Sequence, residues 1–130
     1  LQETGDLEGA RAAYEADASL FPDQADGLYR LALLDLEAGD LESCEARART
    51  CLERFERPRD IAKSHALVGD VARVRGDDTA ARAAYEQCVA LFPHYEVFYK
   101  LARVCERLED EAAAAQYMDL HRRWRRQAGR

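Results

Sequence analysis

"GARAAYEADASLFP" at residues 9–22 returns as "AARAAYEQCVALFP" at residues 80–93, with nine of fourteen positions identical. A third, weaker copy stands between them. "TGDLEGARAAYE" (4–15) aligns with "AGDLESCEARAR" (38–49) and with "RGDDTAARAAYE" (75–86). Gly-Asp pairs fall at 5–6, 39–40 and 76–77, and "LEDEAAAAQYMD" (108–119) keeps Asp110 with Glu109 where Gly stood. The spacings are 34, 37 and 33 residues. A period of this size marks stacked supersecondary units, each needing a neighbour to cover its apolar face.

Each unit reads as two helices. The first is apolar: "GLYRLALLDLEA" (27–38), "SHALVGDVARVR" (64–75) and "VFYKLARVCERL" (97–108). Gly then ends it, because Gly adopts the left-handed backbone without steric cost and lets the chain reverse. The Asp that follows caps the next helix by accepting backbone N–H bonds. The second helix is Ala-rich, and Ala10, Ala81 and Ala114, with Cys44 in the equivalent place, let two helices approach closely. Phe-Pro at 21–22 and 92–93 ends it, since Pro cannot extend a helix.

Composition supports helix throughout. The 130 residues hold one domain's worth of core and are rich in Ala, Leu, Arg and Glu, with seven Gly and three Pro. Runs alternating with period two, which would signal strands, are missing. No apolar stretch reaches the roughly 18 residues that a membrane span needs, so no transmembrane segment is expected. The net charge is −6, but five Arg and no acid at 121–130 leave residues 1–120 at −11. An acidic body argues against a broad nucleic-acid footprint. Cys44 and Cys51 lie seven residues apart, about 10 Å along a helix, too far for a disulfide. With Cys88 and Cys105 they read as buried free thiols acting as small apolar residues, which suits a reducing, cytoplasmic setting.

The pattern resembles the tetratricopeptide repeat (TPR) family. The resemblance rests on Leu31-Ala32 and Val68-Gly69 in first helices, Gly39-Asp40 and Gly76-Asp77 at turns, Ala10/Ala81 with Tyr14/Tyr85 in second helices, and Pro22/Pro93 at unit ends. It implies an all-α solenoid of stacked antiparallel helix pairs, a right-handed superhelix. The expected units are a lone second helix at 5–22, full units at 25–56, 62–93 and 95–122, and a basic tail at 123–130. The arrangement departs from the family at Asp35, His65 and Ala48, and the 53–61 connection reads as about three residues long of standard. Asp35, a carboxylate inside helix packing, requires a cationic partner, for which Arg47 on the second helix is a candidate.

The resemblance also implies that first helices line a concave wall holding an extended peptide or a helix of another protein. Its groove-facing places fall on Asp26, Tyr29, Leu33 and Leu36, then Lys63, Ala66, Asp70 and Arg73, then Glu96, Tyr99, Arg103 and Glu106. Spacings of three, four and three put each set on one helical face. The tyrosines offer rigid area with a hydroxyl, and the arginines can grip a carboxylate with two bonds. The subtype that clamps two carboxylates with Asn and Lys is not expected, because the chain contains no Asn.

The ends suggest other contacts. "HRRWRRQAGR" (121–130) carries Arg122, Arg123, Trp124, Arg125 and Arg126. It reads as a solubilising cap or linker, with Trp124 packing back on Leu120. The alternative is a contact for an acidic partner, nucleic acid or an anionic membrane. The chain begins without Met, and residues 1–4 look like the tail of a helix, so a longer parent array is expected. An uncovered helix at 5–22 would expose Leu7, Tyr14 and Leu20 and invite self-association, so the alternative to a partner-binding array is a structural self-association or spacer module of a larger multidomain protein. Catalysis is not expected. His65, His94 and His121 share no metal-ligand spacing with one another or with Cys. The glycines stand at repeat turns, not in a phosphate loop, and no Ser sits in a nucleophile turn, so neither a metal nor a cofactor is expected.

Overall fold

In the computed structural model, residues 25–129 are described. They form six helices and no strand: α1 (Ala25–Ala38), α2 (Leu41–Arg54), α3 (Pro58–Arg75), α4 (Asp78–Leu91), α5 (Tyr95–Arg107) and α6 (Glu111–Ala128). The repeat stretch at 9–22, with Gly5-Asp6, Phe21-Pro22 and the proposed self-association helix, lies outside the described residues. The chain divides into two compact units, residues 1–56 and 57–130.

Three helix pairs close through one kind of turn. Gly39 and Gly76 take φ of 83°, and Glu109 takes φ of 62°. The amide of the next residue then reaches back five residues: Asp40 to the Asp35 carbonyl at 2.8 Å, Asp77 to Ala72 at 2.9 Å, and Asp110 to Cys105 at 2.9 Å. This satisfies carbonyls that the helix end would leave without partners. Each Asp carboxylate then caps the following helix, accepting from the amide of Ser43, Ala80 or Ala113. The Gly-Asp reading therefore holds at both described sites, and the fourth turn keeps the same geometry on a non-glycine residue.

Two expected boundaries are corrected. Pro58 opens α3 at its first turn instead of sitting in a long connection. A helix's first turn needs no Pro N–H, and the fixed φ of Pro suits it. The 53–61 connection thus shrinks to a few residues around Phe55 and Arg57, and the unit expected to start at 62 has its helix from 58. The basic stretch at 123–130 is no separate tail either, because α6 runs unbroken to Ala128. Arg is a good helix former, and Arg125 and Arg126 in the last turn complement the helix dipole. Trp124 packs within 6.3 Å of the Phe98 ring.

In the first unit Leu31, Ala32 and Leu34 of α1 and Cys44, Ala48 and Cys51 of α2 are buried. Asp35 is wholly buried, and Arg47 Nη1 meets its Oδ2 at 3.0 Å. The pair joins the two helices of one hairpin. In the second unit the core gathers Ala62, Ala72, Ala81, Tyr85, Cys88, Val97, Phe98, Leu101 and Val104. Small residues at Ala81 and Ala114 are buried where helices come close. Gly69 belongs to the same logic: a Cβ there would stand 2.6 Å from Tyr85 Cε1. All four cysteines are free and buried.

Candidate partner-binding face of α3 and α5

Within residues 57–130 the first helices of two successive pairs, α3 and α5, are tied by one carboxylate. Asp70 on α3 accepts from the Tyr85 hydroxyl on α4 at 2.5 Å. It also accepts from Lys100 Nζ on α5, at 2.9 Å to Oδ1 and 3.2 Å to Oδ2. Arg73, one turn along α3, donates Nε to the Tyr85 oxygen at 3.2 Å and stands 3.7 Å from Asp70. Lys100 also lies 5.9 Å from the centre of the Tyr85 ring. The Tyr85 phenol is held protonated well above its usual range, first by burial and then by the Asp70 charge. Its hydrogen bond to Arg73 in turn raises the guanidinium. The tyrosine so acts as a neutral donor to Asp70 and acceptor from Arg73.

The groups beside this knot stand toward solvent. Tyr99 is 40% exposed. Arg103 lies 5.1 Å over its ring and donates Nε to its hydroxyl at 3.1 Å. Arg103 also meets Glu106 at 3.1 Å. Tyr99 is flanked from α6 by the His121 ring at 5.3 Å. A hollow of about 380 Å³ opens here, lined by Glu96, Tyr99, Lys100, His121 and Arg125.

The expected groove residues therefore fall into three groups. Asp70 and Arg73 stand in the knot, with the Asp70 side chain committed internally and only 15% exposed, whereas Glu96, Tyr99, Arg103 and Glu106 are exposed along α5. Lys63 is exposed on α3, whereas Ala66 packs against the core instead of standing free. Tyr29, Leu33 and Leu36 belong to the first unit. There Tyr29 meets Phe55 edge-on at 6.3 Å, Leu33 is exposed and Leu36 half-buried. The side chain of Asp26 lies outside the described residues. Arg122, Arg123, Arg125 and Arg126 are exposed along α6, and Arg123 pairs with Asp119 at 2.9 Å.

Sequence reasoning missed Lys100 and His121. Lys100 follows a groove place by one residue and interrupts an otherwise apolar run, Val97-Phe98 and Leu101-Ala102. As one of only two lysines in the chain, it was the available signal. His121 stood in the basic stretch with no sign that α6 continues alongside α5. Elsewhere, Arg82 of α4 meets Asp110 at 2.9 Å, and Tyr117 of α6 donates to Glu86 at 2.8 Å. These bonds also link successive pairs. Among the described residues, no group of three or more His, Cys, Asp or Glu could hold a metal. None of the described helices is long and apolar enough to cross a membrane.

No protein-family model matches the chain, and no curated protein matches it either. Solved structures do. MamA superposes with a TM-score of 0.78 at 19% identity, over 90% of this chain and 67% of that one. A MamA RS-1 ArsTM double mutant gives 0.81 at 18% identity, over 95% and 68%. BtubC (BKLC) from P. vanneervenii gives 0.84 at 19% identity, over 96% and 59%. The fold is a TPR-like helical repeat. At such identities the likeness speaks for the fold alone, and this chain spans only 59% of the length of BtubC.

Proposed function

We propose that the chain is a divergent member of the TPR family and works as a non-catalytic protein-interaction module. It holds a peptide or a helix of a partner against the face shared by α3 and α5. The observation that carries this reading is the Asp70–Tyr85–Lys100–Arg73 knot. It fixes two first helices relative to each other while Tyr99 and Arg103 remain exposed beside it. A preorganised face loses less freedom on binding. A rigid tyrosine with a flanking arginine is typical of residues that dominate protein contacts. The four buried free thiols suit a reducing compartment such as the cytoplasm.

The test is site-specific photocrosslinking in cells of the source organism. A benzophenone side chain replaces Tyr99 or Arg103 on the face, and Ala83 on the exposed side of α4 serves as control. A discrete protein adduct at 99 and 103, absent at 83, supports the reading. Equal yields at all three positions, or none at 99 and 103, would sink it.

A further inference from the structure

One repeat back, the molecule shows what covers the outer face of a helix pair. There α5 lies against α4. Asp78, in the first turn of α4, accepts from Arg107 Nε near the end of α5 at 2.9 Å. Tyr85 of α4 is buried in one core with Val97, Phe98 and Leu101 of α5, and Val89 packs against that core. The Gly-Asp period carries these places forward by 33 residues, from Asp77 to Asp110. Asp78 becomes Glu111, Ala81 becomes Ala114, Tyr85 becomes Met118 and Val89 becomes Arg122. All four line a hollow of about 360 Å³ along α6, bordered on the α5 side by Glu106. The side chains of Glu111 and Arg122 are exposed, and neither makes an ion pair or hydrogen bond among the described residues. The loop that returns α5 onto α4 has no counterpart after α6. That loop, Phe92 to His94, falls by the same period on residues 125–127, which are helical.

We propose that this outer face of the α5–α6 pair docks a helix of a different protein, in the place that α5 takes on α4. The unbroken course of α6 keeps the chain from folding straight back over the hollow, so the occupant comes from elsewhere. It runs antiparallel to α6, as α5 does to α4, and is amphipathic. A Lys or Arg in its last turn meets Glu111, and an apolar stripe lies on Ala114 and Met118. A basic last turn also suits the occupant's own helix dipole. Glu111 and Arg122 stand ~16 Å apart along the axis, so about three turns fill the seat. A second copy of this chain is a poorer occupant, because the period puts Glu37 of α1 in the place of Arg107, against Glu111. The surface is distinct from the α3–α5 face, and the two can be filled independently.

The full chain is titrated with a fluorescein-labelled peptide of the α5 sequence, residues 95–108. The peptide carries Lys100→Ala, because Arg103 stands where Asp70 receives Lys100. Binding is expected, and Glu111→Arg in the chain should weaken it roughly five-fold. The peptide with Arg107→Glu added should bind the native chain roughly five-fold less tightly and recover on the Glu111→Arg chain. Glu42→Arg, the same charge change in the first turn of α2, should leave the affinity within about two-fold. Met118→Glu should abolish binding. Should it fail to fold, the charge-swap cycle decides alone, since Glu111 is exposed. No binding, or no recovery in the swapped pair, would overturn the docking face. Equal losses in Glu111→Arg and Glu42→Arg would mean diffuse attraction and overturn it too. So would an affinity indifferent to Glu111→Arg, which would mean that the peptide displaces native α5 from Asp78. A dimer of the chain alone that Glu111→Arg dissociates would make the occupant a second copy and overturn its assignment to another protein.

Discussion

Gly69 lies inside α3, where Ala would favour the helix by about 1 kcal/mol. The helix forgoes that because the Tyr85 ring occupies the place of a Cβ, at 2.6 to 3.0 Å. Gly69→Ala should therefore destabilise the chain by about 2 kcal/mol in urea melts. The same change in a Tyr85→Ala background should be neutral or mildly stabilising. Equal losses in both backgrounds would refute the contact. Tyr85→Phe keeps the ring and removes one donor from Asp70, which should cost about 1 kcal/mol. Polar pairs at this scale were unequally legible. Arg47 could be named for Asp35 because both lie in one hairpin, twelve residues apart, and a buried carboxylate demands a cation. Lys100 could not be named for Asp70. It lies thirty residues away in the next pair, and periodicity alone does not say which side chain crosses between pairs.

The turns are the elements that recur most faithfully, and one of them is built on the wrong residue. Glu109 adopts a left-handed backbone that suits glycine. Glu109→Gly should raise stability by about 1 kcal/mol, read as a higher thermal midpoint. An unchanged or lower midpoint would mean that the Glu109 side chain compensates. Asp77→Ala should lower stability by about 1 kcal/mol through loss of the cap on α4. Gly-Asp was readable because both letters have one physical use at a chain reversal. Pro58 was misread because proline has two: it ends a helix from inside and begins one at the first turn. The course of α6 was missed for another reason. A charge run draws attention to its solvation, although nothing between Asp110 and Gly129 breaks a helix.

For the whole molecule, burial of the thiols and phenols sets the alkaline limit. Burial pushes the Cys88 thiol from 9.0 up to about 11, and burial, then the hydrogen bond to Glu86, pushes the Tyr117 phenol from 10.0 up to about 12. Above pH 9.0 the unfolded chain loses the Cys88 proton while the folded chain keeps it. Stability that is complete below that point must fall as pH rises toward about 11. Urea midpoints should decline across this window, and Cys88→Ala should flatten the first part of the decline. A midpoint as high at the upper end as at neutrality would contradict the burial. Thiol-reactive dye should label none of the four cysteines at neutral pH until denaturant is added.

Within residues 57–130 each helix lies against the one just before it, α4 on α3, α5 on α4 and α6 on α5. Such a chain can assemble in the order in which a ribosome delivers it. The α3–α4 hairpin can close while α5 is still in the exit tunnel, since its turn and cap lie wholly within Pro58–Leu91. Lys100 then latches the next pair onto Asp70 as it emerges, and no helix waits for a partner from the far end of the unit.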